Sequence, residues 1–151
     1  MSNIILKKTI LNCDIKYAFS LFTKNELLTK WLCEKADVQA EIGGKYELSW
    51  SSECGPDNGT FGCRITCFEE SKVLAFDWKG PAEFENVMNN ADPLTHVVVS
   101  FIPTNISEKK YTEVILVHSG WKLTDDWEKA RQWFDRAWDF AFKALVKAAE
   151  D

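Results

Sequence analysis

A chain of 151 residues with 46% apolar side chains and a net charge of −5 is sized for one domain with one real core, here taken as residues 1–151. Its Lys and Arg are scattered rather than clustered, which excludes nucleic acid and anionic membrane surfaces as partners. No run approaches the roughly 18 apolar residues that membrane insertion needs, and the start has no secretory pattern, so the expectation is a soluble cytoplasmic protein.

Residues 4–11 are rich in aliphatic and β-branched side chains and predict a first strand. Asn12 or Asp14 can cap a short helix in which Ile15, Ala18, Phe19 and Phe22 share a face, because a short polar side chain accepts first-turn N–H groups. A second short helix starts at Thr23 or Asn25, with Leu27, Leu28 and Trp31 as its apolar set. Residues 38–41 and 46–50 predict strands on either side of Gly43-Gly44, a pair suited to a tight connection. Tyr46, Leu48 and Trp50 alternate with polar neighbours and should point inward.

Residues 51–59 are loop by composition. Alternation then resumes over 61–67, which predicts that Phe61, Cys63, Ile65 and Cys67 face one way. After a turn at 69–72, Leu74, Phe76 and Trp78 form the next inward set. Between Gly80 and Pro93 the pattern breaks; Phe84, Val87 and Met88 suggest a short helical flap, with an ordinary surface loop as the competing reading. Strands over 96–102 and 111–118 follow, joined by a polar turn at 103–110. His118 lies on the inward face with Leu116, whereas His96 points away from Val97 and Val99.

Residues 125–149 read as one long helix. Trp127, Ala130, Phe134, Ala137, Trp138, Ala141, Leu145 and Ala148 recur at steps of three and four and form one apolar face. Trp133 and Phe140 widen it on one side, and an exposed row of that kind is a candidate contact for a homodimer. The small residues between the rings leave room along the face.

The five cysteines, Cys13, Cys33, Cys54, Cys63 and Cys67, show no CxxC pairing and read as reduced apolar side chains. No phosphate loop, HExxH or Gly-x-Ser-x-Gly motif occurs. With two histidines and no clustered ligand spacing, neither a metal nor a cofactor is expected.

The order of elements, together with Thr23 to Trp31 (TKNELLTKW), Gly43-Gly44-Lys45-Tyr46, the strand end at Leu74 to Trp78, Thr112 to Gly120 (TEVILVHSG) and the Trp- and Phe-rich last helix, resembles the START-like helix-grip (SRPBCC) superfamily. Within it, the chain resembles the group similar to the C-terminal domain of the activator of the ninety-kilodalton heat-shock ATPase. The resemblance implies an α+β fold: a curved antiparallel sheet of six to seven strands wrapped around the long C-terminal helix, with two short helices closing one end. It also implies an apolar cavity between sheet and helix of the kind that binds lipids, polyketides and other hydrophobic molecules.

The candidate lining is Trp31, Tyr46, Trp50, Phe61, Phe76, Trp78, His118, Trp121, Phe134 and Trp138, because ligand pockets are typically apolar and aromatic with a few placed polar groups. Tyr46 and His118 are the expected orienting groups. The leading expectation is non-enzymatic binding of a small hydrophobic or aromatic molecule, admitted between Trp31 and the 80–93 segment. The alternatives are a module that acts on a chaperone ATPase, and a cyclase- or hydrolase-like enzyme with His118 as its acid or base.

Overall fold

The computed structural model describes residues 3–50 and 58–150. Most of the loop read over 51–59, and Cys54 with it, lies outside the described residues. The elements run β1 (Ile5–Leu11), α1 (Ile15–Thr23), α2 (Asn25–Trp31), β2 (Lys35–Val38), β3 (Tyr46–Ser49), β4 (Ile65–Glu69), β5 (Val73–Trp78), a helical flap, β6 (Thr95–Ile106), β7 (Lys109–Ser119) and α3 (Asp125–Glu150). All pairings are antiparallel, and the larger sheet has the order β1-β7-β6-β5-β4.

The smaller β2–β3 ribbon continues that sheet around a corner. Gly43 N donates to Ile65 O, Ile65 N to Gly44 O, and Tyr46 N to Cys63 O, at 2.8, 2.8 and 2.9 Å. These bonds bend the sheet into the grip that encloses one face of α3, the helix-grip arrangement. The corner depends on Gly44, since a Cβ there would lie 2.2 Å from the Gln39 carbonyl oxygen. It also displaces a predicted strand: residues 39–44 form the turn, so β2 ends at Val38 where the sequence pattern predicts a start.

Of the two candidate caps for α1, Asp14 serves, its carboxylate accepting from Tyr17 N at 2.9 Å. Asn25 lies inside α2 and its side chain accepts from Val38 N at 2.9 Å, tying α2 to β2. The aromatic faces of these helices pack into the open end of the grip, where Phe22 meets Trp31 and Phe101 edge-on at 4.9 and 5.3 Å. Such pairs add to the area they bury.

The other departures have local causes. The strand predicted from Phe61 begins at Ile65, because Cys63 N bonds back to Thr60 O at 3.0 Å and Gly62 takes a φ of +89°. Phe61, expected inward, lies on the resulting turn and is 43% exposed. The polar segment expected as a turn at 103–110 is mostly strand: β6 and β7 extend past the end of β5 and reverse at Ser107 and Glu108, whose φ values of 50° and 70° fit a two-residue hairpin turn. This ribbon is solvated on most of its surface, so its sequence has no apolar face to reveal.

Residues 80–93 form the flap, a 3-10 turn (Ala82–Phe84) followed by one π turn (Glu85–Asn89). Its ends are tied together by Gly80 N to Asn89 Oδ1 at 2.7 Å and Asn89 Nδ2 to Gly80 O at 3.0 Å, while Met88 is buried beneath it.

α3 has 26 residues and is roughly 39 Å long. Asp125, Asp126 and Glu128 sit in its first turn, where carboxylates favour the positive end of the helix dipole. Trp127, Ala130, Phe134, Trp138, Leu145 and Ala148 are buried, as their periodicity predicts, and Phe142 joins them. Lys7 on β1 fastens the helix to the sheet, its ammonium 2.9 Å from Asp135 and 2.7 Å from Asp139.

Candidate ligand cavity

A space of about 940 Å³ lies between the sheet and α3, at the upper end of the range of roughly 300–1,000 Å³ typical of small-molecule sites. Each wall follows from an element already placed. α2 ends with Trp31 and Leu32, β3 is followed by Trp50, and β5 ends with Trp78 and Lys79. The flap contributes Gly80 to Glu83, and α3 contributes Trp133, Phe134, Arg136, Ala137, Trp138, Phe140 and Ala141. On α3 the small side chains Ala137 and Ala141 face this space between Trp133, Phe134, Trp138 and Phe140. A second hollow of about 690 Å³ lies beside α1, lined by Asp14, Lys16, Lys24, Glu70 and other residues. Tyr17, Phe19 and Phe68 also line it, but its lining is more polar than that of the larger space, which makes it the weaker candidate for an apolar molecule.

Five of the ten residues read from the sequence line the larger space: Trp31, Trp50, Trp78, Phe134 and Trp138. Phe76 is one layer behind, its ring 5.5 Å from that of Trp78 and stacked at 3.9 Å on Tyr46. Tyr46 is buried behind the same wall, and its hydroxyl donates to the Phe22 carbonyl at 2.7 Å. Burial raises its pKa well above the ordinary tyrosine value. Tyr46 therefore holds α1 to β3 and does not present a donor to the cavity. Trp121 packs on His118 at 4.5 Å and donates its indole N–H to the His118 carbonyl at 3.0 Å, away from the lining. Phe61 is on the outer turn.

His118 has the most determined environment in the molecule. It is fully buried. Trp138 Nε1 donates to its Nδ1 at 3.0 Å, and its Nε2 lies 3.0 Å from Thr95 Oγ1. Thr95 Oγ1 in turn donates to the Trp78 carbonyl at 3.1 Å. An indole can only donate, and the threonine proton is already given to a carbonyl, so the imidazole carries its proton on Nε2 and is neutral. Burial, then the nearby His96, pushes its pKa down to about 3.

Both ring nitrogens are thus committed to protein partners, and His118 is absent from the cavity lining. This residue, expected from the sequence on the cavity lining, instead locks β7, β6, β5 and α3 together at one point. His96 is on the opposite face, 2.7 Å from Thr66 Oγ1.

What the sequence reading missed is the outer half of the wall. Trp133 and Phe140, read as a row for self-association, line the cavity mouth together with Pro81 and Leu32, and Trp133 meets Phe84 of the flap edge-on at 5.9 Å. Lys79, Glu83 and Arg136 put mixed charge at the rim. The interior offers aromatic faces and indole edges. The remaining signal for the missed residues was the helical step from Phe134 to Trp133 and from Ala137 to Phe140, which gives a direction around the helix but not how far the sheet and flap reach around it.

Among the described residues no group of three or more His, Cys, Asp or Glu is placed to hold a metal ion, and no helix is long and apolar enough to cross a membrane. Cys13, Cys33, Cys63 and Cys67 are free thiols. Burial pushes the thiols of Cys33 and Cys63 up to about 12.

The sequence profile of the family described as activator of Hsp90 ATPase homolog 1-like protein matches residues 12–150. No curated protein matches the chain in sequence. Among solved structures, the chain is similar to protein MLL2253 from Mesorhizobium loti, at 18% identity and a TM-score of 0.70 over 97% of this chain and 96% of that one. It is also similar to the Aha1 dimer from Colwellia psychrerythraea, at 16% identity and 0.70 over 99% and 97%. PFC0360w, an HSP90 activator from Plasmodium falciparum, aligns at 16% identity and 0.70 over 95% and 94%. At these identities the structural matches speak for the fold.

Proposed function

The chain belongs to the activator of Hsp90 ATPase homolog 1-like family, and we propose that it is a non-enzymatic protein that binds a small hydrophobic or aromatic molecule between its sheet and its last helix. One observation carries this reading: a space of about 940 Å³ walled by Trp31, Trp50, Trp78, Trp133, Phe134 and Trp138. Flat rings give large contact area and favour edge-on and offset stacking with aromatic ligands. Access runs between Trp31 and the flap, past Phe140, whose side chain is 78% exposed.

Native mass spectrometry of protein purified without detergent tests the reading, together with a panel of lipids and flavonoid-like compounds followed by tryptophan fluorescence. Adducts or saturable quenching are expected. A bare mass and unchanged emission across the panel defeat it. The same spectra report self-association through the exposed Phe140.

The second reading is action on a chaperone ATPase, favoured by the family description and by an uncovered apolar patch. Leu6 and Ile10 of β1 and Ile102 of β6 are 50, 50 and 41% exposed. The strand register sets Ile10 and Ile102 on either side of Glu113. Stimulation of the ATPase that Leu6→Asp abolishes would establish this use of the outer face; no stimulation at micromolar protein counts against it.

A further inference from the structure

The inner rings of the cavity offer a ligand no free donor. The indole N–H groups of Trp31, Trp50 and Trp138 are given to the Leu21 carbonyl, the Leu32 carbonyl and His118 Nδ1, at 2.8, 2.8 and 3.0 Å. That of Trp78 is sealed within the wall and has no partner among the described residues. Charge is confined to three lining residues, Lys79, Glu83 and Arg136. Two cations against one carboxylate make this border net positive, on a chain whose total charge is −5.

The two cations differ in what they are free to do. Lys79 Nζ donates to the Phe61 carbonyl on the outer turn at 2.5 Å. The exposed guanidinium of Arg136 has no hydrogen-bond or ion-pair partner among the described residues. Its acidic neighbours on α3 do not compete for it, since Asp135 and Asp139 are both held by Lys7. The other arginine of the helix, Arg131, is spent on Glu128. Arg136 follows Trp133 by three residues and precedes Phe140 by four, spacings that set the three side by side on a helix, and all three border the cavity.

Resting on the binding function above, we propose that Arg136 is the anion anchor of this site and that the ligand is an apolar ring system carrying one carboxylate on a short tether. The ring body enters the tryptophan-walled space, where stacking favours it. The carboxylate stays at the mouth, because burying it unpaired is costly. A guanidinium fork matches a planar carboxylate with two parallel N–H···O bonds, which a lysine ammonium cannot do. Glu83 on the flap disfavours a second negative charge on the same molecule.

The acid 1-pyrenebutyrate and the alcohol 1-pyrenebutanol share ring body and tether and differ in the head group, so they separate the anchor from general apolar affinity. Calorimetric titration of the full chain at low salt is expected to give the acid about fivefold tighter binding than the alcohol, equivalent to ~1 kcal/mol. In Arg136→Gln the ratio is expected to fall to about one. In the unmodified protein it should shrink toward one in about 1 M salt, where an exposed charge pair is screened. Equal affinities for the two compounds, a preference for the alcohol, a preference for the acid that survives Arg136→Gln, or one indifferent to salt overturns the anchor while leaving apolar binding intact. If neither compound binds, the anchor and the cavity function fall together.

Discussion

Acid should destabilise this protein through His118 in a way that one substitution isolates. The folded imidazole titrates near 3 against an ordinary value of 6.5, because the charged form would have to sit in a dry core against an indole N–H donor. The folded pKa is lowered, so the contribution to stability is fully present above 6.5 and is lost as pH falls, down to about 3. At ~1.36 kcal/mol per unit, the loss is about 1.4 kcal/mol at pH 5.5 and about 2.7 kcal/mol at pH 4.5. That is a large fraction of the ~5–15 kcal/mol a domain possesses.

His118→Gln is the control. A glutamine amide can accept from Trp138 and donate to Thr95, as the neutral imidazole does, but it does not titrate. Urea unfolding of both proteins at pH 7.5, 5.5 and 4.5 measures the effect, and every other titrating group cancels in the difference. The expected result is that wild type loses about 2.7 kcal/mol more than His118→Gln between the extremes. Parallel pH profiles would refute the buried neutral imidazole and reopen His118 as a group that exchanges protons in the native state.

Three further outcomes follow from named contacts. Tyr46→Phe should cost about 1–2 kcal/mol by leaving the buried Phe22 carbonyl without its donor, with ligand affinity in calorimetry unchanged because Tyr46 lies behind the wall. Gly44→Ala should lower thermal stability by more than ~2 kcal/mol, since its Cβ would collide with the Gln39 carbonyl at the corner of the grip; a melting curve equal to wild type would mean the corner can relax. Lys7→Met should cost about 0.5–1 kcal/mol, because Asp135 and Asp139 are about half exposed, and the difference should shrink in 1 M salt as screening removes it.

The parts of the fold visible in the sequence are those where one face is dry and the other wet. The apolar face of α3 from Trp127 to Ala148, the inward Leu74-Phe76-Trp78 row and the burial of His118 all rest on a period of 3.6 or 2 that burial itself imposes. Where both faces are wet, as in the β6–β7 ribbon, or where the chain reverses within an apolar run, as at Phe61, the period carries no information. The cavity divides along the same line. Its inner wall was legible as inward aromatics, and the Ala-for-ring spacing at 137 and 141 was legible as room. Its outer wall was not, because Trp133 and Phe140 become lining only through the bend at Gly43-Gly44 and the position of the flap. Nor could spacing tell which polar groups were free: Tyr46 and His118 found partners on elements distant in sequence, and Trp78 did not.

The central claim is that the space along α3 is a binding site, and blocking it from the helix tests that most directly. Ala137→Trp places a large ring in the cavity on a helix that a half-buried position should not unfold. Titration of 1-aminoanthracene into wild type is expected to give a saturable rise in its emission. In Ala137→Trp, with the melting temperature little changed, affinity should fall at least about tenfold. Equal titration curves for the two proteins would contradict the assignment of this cavity as the site.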